Sequence, residues 1–318
     1  MRDGNIAMAQ ARTVAFISNK GGVGKTHLAI NLAISFAKNS RRVLLVDTDL
    51  GSANADLRLG VSPTTTLLDF YEGRADIGCC LTNTNYGFRL LAGRTGEFAL
   101  ANLADDQIIR LLTAFDGLVR NGGYTDIFFD LGAGISSRVL DFALAADECV
   151  IVTTPTNIVH AYSALKACWT RYCSLSETEF FKRKIRIDRR PAFFTNVAFE
   201  PQQGPRINFI VNQVENLEEG KKIYLAITKI ARKFFYSDDG YWKLHMRYLG
   251  GIPVCHELIK NAERQRTPAL AMNPYHPFSH AINEVGDMLL ARQVIAPGRL
   301  KIGFGDRIRC IIENWKHA

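Results

Sequence analysis

Nine residues near the start of the chain, Ser18-Asn19-Lys20-Gly21-Gly22-Val23-Gly24-Lys25-Thr26, restrict the possible folds more than any other stretch. They follow the apolar run Val14-Ala15-Phe16-Ile17 and precede residues 28–37, whose apolar positions recur with helical period. A glycine-rich turn between a strand and a helix lets backbone N–H groups converge on phosphate oxygens, and the helix N-terminus adds partial positive charge. Gly21, Gly22, Val23 and Gly24 would form that cradle, Lys25 would neutralise the β- and γ-phosphates, and the Thr26 hydroxyl would face Mg²⁺. Asn19 stands where the pattern G-x-x-x-x-G-K-[ST] begins with glycine; asparagine tolerates the left-handed backbone such a turn uses.

The rest of the chain repeats the strand–helix rhythm. β-Branched and aromatic runs predict strands at 13–18, 42–47, 88–92, 126–130, 148–153, 207–212 and 247–250. Helical periods fall at 26–39, 104–120, 137–145, 157–173, 219–235 and 276–292. Such alternation predicts an α/β fold with a mainly parallel twisted sheet and helices on both faces, its functional loops at the strands' C-terminal edge. The expected organisation is an N-terminal extension at 1–12, one domain at 13–297 and a basic tail at 298–318. Residues 176–205, which contain the basic run FKRKIRIDRR, break the rhythm and read as an insertion.

Three aspartates end strands on the same side as the glycine-rich loop: Asp47 and Asp49 in VLLVDTDLGSANAD, and Asp130 in IFFDLGAG. In a phosphoryl-transfer site, carboxylates organise the metal's waters and orient the attacking water. His276 and His280 have i, i+4 spacing, but Pro277 lies between them and no carboxylate pattern surrounds them, so no further metal site is expected.

The second lysine, Lys20 in KGGVGKT, resembles the deviant Walker A loop of the MinD/ParA superfamily, with DTDLGSAN and DLGAGIS similar to its two switch segments. The resemblance runs from about Thr13 to Ala291. DLGAGISSRVLDFALAADECVIVTTPT, FIVNQVENLEEGKKIY and LGGIPVCHELIKNAERQRTPAL look most like the FlhG (FleN, YlxH) branch, MinD-like ATPases that control flagellar number and placement. The resemblance implies a P-loop NTPase fold with ATP and Mg²⁺ as cofactors. It implies that Lys20 reaches across an ATP-sandwich homodimer to the partner's phosphates, making hydrolysis depend on dimerisation. Lys20, Lys25 and Asp49 would be the catalytic residues, Asp49 orienting the attacking water. Asp47 and Asp130 would hold the Mg²⁺ shell with Thr26, Asn54 and Gly132 would lie in the switches, and Asn212, Pro253 and Val254 would border the adenine. His27 would complete the nucleotide site where relatives have a smaller polar residue, and Leu131 replaces a small or hydroxyl residue after the second switch aspartate. The N-terminal MRDGNIAMAQAR contains no clear copy of the activating motif that flagellar relatives use on their partner GTPase.

Charge and tail bear on partners. The chain has 318 residues, 47% of them hydrophobic, and a formal charge of +8, which favours acidic partners without choosing among them. In the tail, Phe304, Ile308, Ile311, Ile312 and Trp315 fall on one helical face, with Arg299, Lys301, Arg307, Arg309 and Lys316 around them. That pattern suits a helix lying on an anionic membrane, and equally a last helix docked on the protein. MinD and FlhG relatives carry a membrane-targeting helix at this position, which favours lipid. Seven cysteines without C-x-x-C spacing read as reduced thiols, and no stretch is long enough to span a membrane. The expected setting is the cytoplasm, peripheral on the inner face of the cell membrane, with a flagellar or polar protein as partner. A ParA-like use of the charge on nonspecific DNA is the alternative. A metabolic or metal-delivery enzyme on the same fold is a third reading, which the two flanking lysines and the cysteine spacing disfavour.

Overall fold

A computed structural model describes residues 10–48, 54–93, 105–187, 204–235, 244–291 and 303–315. Eight strands form one sheet: β1 (Arg12–Ile17), β2 (Val43–Asp47), β3 (Leu81–Asn83), β4 (Arg89–Leu91), β5 (Asp126–Asp130), β6 (Glu148–Thr153), β7 (Arg206–Val214) and β8 (His245–Pro253). Their order is β3-β4-β2-β5-β1-β6-β7-β8, with every pair parallel except β3 against β4. Helices cover both faces, as the sequence predicts.

The central strands alternate between two apolar layers because successive side chains point to opposite faces. Val14, Phe16, Leu45, Phe128 and Val150 pack with α1 (Lys25–Lys38), α8 (His256–Gln265), α9 (Ala269–Met272) and α10 (Pro277–Leu290). Ala15, Ile17, Val46, Phe129 and Ile151 pack with α4 (Asp105–Asn121), α5 (Ser137–Ala145), α6 (Ile158–Ile187) and α7 (Leu217–Phe235). Two short helices, α2 (Ala55–Leu59) and α3 (Leu67–Tyr71), follow β2.

Several boundaries differ from the sequence reading. β3 is an antiparallel edge strand of three residues, too short to show a period. α6 continues through Ile187, so the first part of the expected insertion is helix; residues 188–203 lie outside those described. β1 begins at Arg12, inside the expected N-terminal extension.

The tail differs most. Helix α11 (Phe304–Trp315) docks on the domain: Phe304, Ile308 and Ile311 are buried in the core, and the Phe304 ring stacks on Phe129 at 5.4 Å. Ile312 and Trp315 are half-buried against the same layer. Each fully buried apolar side chain contributes about 1.5–3 kcal/mol, which offsets the ordering of a short helix. Polar contacts fix its register. Trp315 Nε1 donates to Asp141 Oδ2 at 2.8 Å, and Arg171 forks onto the same buried carboxylate at 2.5 and 2.8 Å. Arg307 donates to the carbonyls of Ala145 and Ala146, closing the C-terminus of α5. The stripe expected to face lipid is thus occupied by protein, since a helical apolar period does not specify what it packs against.

Candidate nucleotide site

Strand register places the acidic residues. Asp47 at the end of β2 is the ladder partner of Asp130 at the end of β5, and Asp130 in turn faces Phe16 of β1. Both carboxylates are buried, at 2% and 1% exposure. The loop of residues 18–24 leaves the same edge from β1. Backbone bonds tie the second switch to it: Leu131 N–H donates to the Phe16 carbonyl, and Gly134 N–H to the Ser18 carbonyl at 2.8 Å. Leu131 is buried in the core, which accounts for an apolar residue after Asp130.

The loop adopts the turn its glycines permit. Gly22 and Gly24 have φ of 77° and 92°, left-handed values that favour glycine. α1 starts directly after Gly24 with no side-chain cap, so the amides of its first turn face the cleft. Lys25 is 8% exposed and lines the cleft, whereas Lys20, five residues earlier in the same loop, is exposed. Asn212, at a bulge near the end of β7, donates from Nδ2 to the Val23 carbonyl at 2.8 Å and so fastens the loop to β7. Asp47 Oδ2 accepts the N–H groups of Asn54 (3.0 Å) and Ala55 (3.1 Å), fixing the start of α2. Asp49 lies outside the described residues.

A cleft of about 750 Å³ opens over the loop. Gly21, Gly22, Gly24, Lys25, Thr26, His27, Asn54, Asn212 and Pro253 line it. Val23 is buried in the core and serves through its carbonyl. Val254 does not line the cleft: it is 43% exposed, and its N–H is bonded to the Val214 carbonyl. Cys255 lines the wall in its stead. The sequence reading missed Arg58, Gln213, His256, Lys260 and Glu263, all on this wall. Gln213 alone had a local trace, since its φ of 60° follows from the bulge, yet no sequence pattern marks a bulge.

One wall is a charged cluster. Glu263 Oε1 lies 3.1 Å from His27 Nε2 and 2.5 Å from Arg58 Nη1, which also contacts the His27 ring. Burial, reinforced by the Arg58 charge, holds the His27 pKa below the ordinary histidine value. Bonds from Arg58, then from His27, hold Glu263 below the usual carboxylate range. The lowered pKa favours the neutral ring, whose Nε2 either donates to Glu263 or accepts from Arg58, according to the tautomer.

The residues fit a magnesium–nucleotide complex: a cleft of the right volume lined by Thr26, a left-handed glycine turn at a helix N-terminus, a buried lysine, and two buried strand-end carboxylates in register at the same sheet edge. The family model described as the CobQ/CobB/MinD/ParA nucleotide binding domain matches residues 14–269. The chain belongs to that family. Two relatives match along most of their length. Antiactivator FleN of Pseudomonas aeruginosa is 29% identical, covering 82% of this chain and 80% of FleN. The flagellum site-determining protein YlxH of Helicobacter pylori is 28% identical, covering 91% and 84%. Among solved structures, the septum site-determining protein MinD complexed with Mg-ADP from Pyrococcus horikoshii superposes with a TM-score of 0.59 at 21% identity, covering 88% of this chain and 96% of that one. The MinD-like fold is thereby established.

The Asn212 contact makes the loop sensitive to a single methyl. A Cβ added at Gly24 would sit 2.4 Å from Asn212 Nδ2 on a backbone that side chains rarely adopt. Gly24→Ala is expected to weaken ADP binding at least tenfold by titration of a fluorescent ADP analogue, while Gly21→Ala, whose Cβ meets nothing within 4 Å, stays within a few-fold of wild type. Equal effects at both positions would contradict the loop geometry.

Proposed function

We propose that the chain is a magnesium-dependent ATP hydrolase of the MinD kind, cycling between an ADP or nucleotide-free form and an ATP-sandwich homodimer. In this reading it serves as a membrane-associated spatial regulator of the type that sets flagellar number or placement, or a cell-division site. The observation that carries it is the division of labour between two lysines of one loop: Lys25 buried against its own site, Lys20 exposed. The name of the YlxH relative, a flagellum site-determining protein, supports a flagellar role, and the Mg-ADP complex of the P. horikoshii MinD supports the cofactor.

In this reading the loop amides and Lys25 hold the β-phosphate region, and Thr26, Asp47 and Asp130 hold the Mg²⁺ shell. Mg²⁺ held there would supply positive charge to offset that of the phosphates. Asp49 orients the attacking water, and Asn54 and Gly132 belong to segments that respond to the γ-phosphate. Pro253 and the Asn212 strand end border the adenine. A lysine delivered in trans supplies charge where it develops, as an arginine finger does, and is worth about 10³-fold in rate. Turnover then becomes a timer set by dimerisation.

Membrane attachment by the tail requires α11 to leave its dock. Phe304, Ile308 and Ile311 would exchange protein for lipid, but the apolar layer they cover, Phe129 among it, would be opened to water, so undocking has a hydrophobic cost that binding must offset. What is given up is the ring stacking, the Trp315–Asp141 bond and the Arg307 contacts. Two tails on one dimer bind with avidity that a single tail lacks. The partner would be a flagellar or polar protein. Nucleic acid is disfavoured because part of the tail's charge is engaged within the protein: Arg307 on α5, Arg309 on Asp306.

Two outcomes follow. Lys20→Ala is expected to keep ATP binding but lower turnover about 10³-fold, and wild-type turnover per molecule should rise with protein concentration; phosphate-release assays over a dilution series check both, and a rate indifferent to concentration sinks the timer. Asp141→Asn, which loosens the dock without altering the tail, should raise affinity for phosphatidylglycerol vesicles roughly tenfold. Unchanged sedimentation with vesicles would mean that α11 does not exchange between protein and lipid.

A further inference from the structure

The cleft wall holds a connection that the general family reading does not assign. From Asp47 the bonds run outward: its Oδ2 accepts the Asn54 N–H, Asn54 Oδ1 accepts Arg58 Nε at 2.9 Å, and Arg58 Nη1 reaches Glu263 Oε1 at 2.5 Å. Three separate pieces of the chain are joined. Asp47 belongs to the proposed metal side of the site, Asn54 to the end of the first switch with Arg58 just after it on α2, and Glu263 stands on α8 among the residues that line the far wall. His27, one residue past Thr26, closes the cluster against the phosphate loop.

We propose that Arg58 is a positioning residue for nucleotide hydrolysis: by bonding Asn54 on one side and Glu263 on the other, it holds the end of the first switch in register with Asp47 and with the wall formed by α8. The inference rests on the nucleotide-hydrolysis reading above and adds a residue to it. The guanidinium is suited to the task because Nε and Nη1 are fixed in one plane and serve two acceptors at once; a lysine ammonium reaches one at a time without that geometry. Glu263 is about half exposed, and a pair this wet adds under about 1 kcal/mol to stability. Losing it cannot unfold the domain. A kinetic effect therefore reports alignment, and alignment errors near 1 Å are amplified in rate.

The test uses the full chain with ATP and Mg²⁺. Arg58→Gln, Arg58→Lys and Glu263→Gln are each expected to lower kcat about tenfold or more. Affinity for a fluorescent ADP analogue without Mg²⁺, held by the phosphate loop, should stay within about twofold of wild type, with melting temperature unchanged. The double variant Arg58→Gln with Glu263→Gln should be no slower than either single one, because each breaks the same connection. Wild-type kcat in the Arg58 variants, losses that multiply in the double variant, or equal losses of ADP affinity and kcat together with a lowered melting temperature would overturn the positioning role. A wild-type chain that bound no ADP would overturn the nucleotide reading itself, and this role with it.

Discussion

The register between β2, β5 and β1 is the constraint on which the site depends. Pairing Asp47 with Asp130, and Asp130 with Phe16, brings two carboxylates and the start of the phosphate loop to one sheet edge. A one-residue slip would turn each strand's side chains to the opposite face and separate the aspartates from the loop. Val46 and Phe129 fill one apolar layer and Leu45 and Phe128 the other, so the fit of each side chain in its layer, more than polarity, holds the register. Past the strand ends the same alignment continues through backbone bonds, Thr48 N–H to the Asp130 carbonyl and Leu131 N–H to the Phe16 carbonyl. The switches are thus anchored at the strand ends from which they emerge.

Much of this was legible in the chain because the strands announce themselves. Five-residue apolar runs ending in aspartate or in a glycine-rich turn leave little freedom, and residues 126–130 and 137–145 have the expected bounds. The cradle glycines, Lys25 and Thr26 were readable from spacing alone. What escaped has a physical cause in each case. α8 is a short, mostly polar helix of ten residues with one buried residue, Ala262; its apolar residues share one face, but they are too few to stand out from the polar sequence around them. The charged residues after Cys173 suggested a loop, yet helix α6 runs on through them to Ile187. Arg58 and Glu263 are 205 residues apart, and a pairing at that distance leaves no mark in a single sequence. Asn212 was read as an adenine contact, while its amide is engaged on the Val23 carbonyl, a role that only the fold reveals.

The tail illustrates the limit of periodicity. Its apolar stripe was identified, and its partner was not, because lipid and protein present the same hydrophobic surroundings. What decides is polar detail: the indole N–H of Trp315 finds a buried carboxylate already held by Arg171. α11 also rests on α5, the helix that directly follows the second switch, so the nucleotide edge and the tail share one structural element. A shift of that helix on ATP binding would act on the loop and the dock together.

In the proposed cycle, nucleotide state sets oligomeric state through the edge where loop and carboxylates meet. Sedimentation equilibrium of the full chain with Mg²⁺, in ADP and in a slowly hydrolysed ATP analogue, tests it most directly. Monomer is expected with ADP and dimer with the analogue; the same mass under both nucleotides would rule out the proposed cycle.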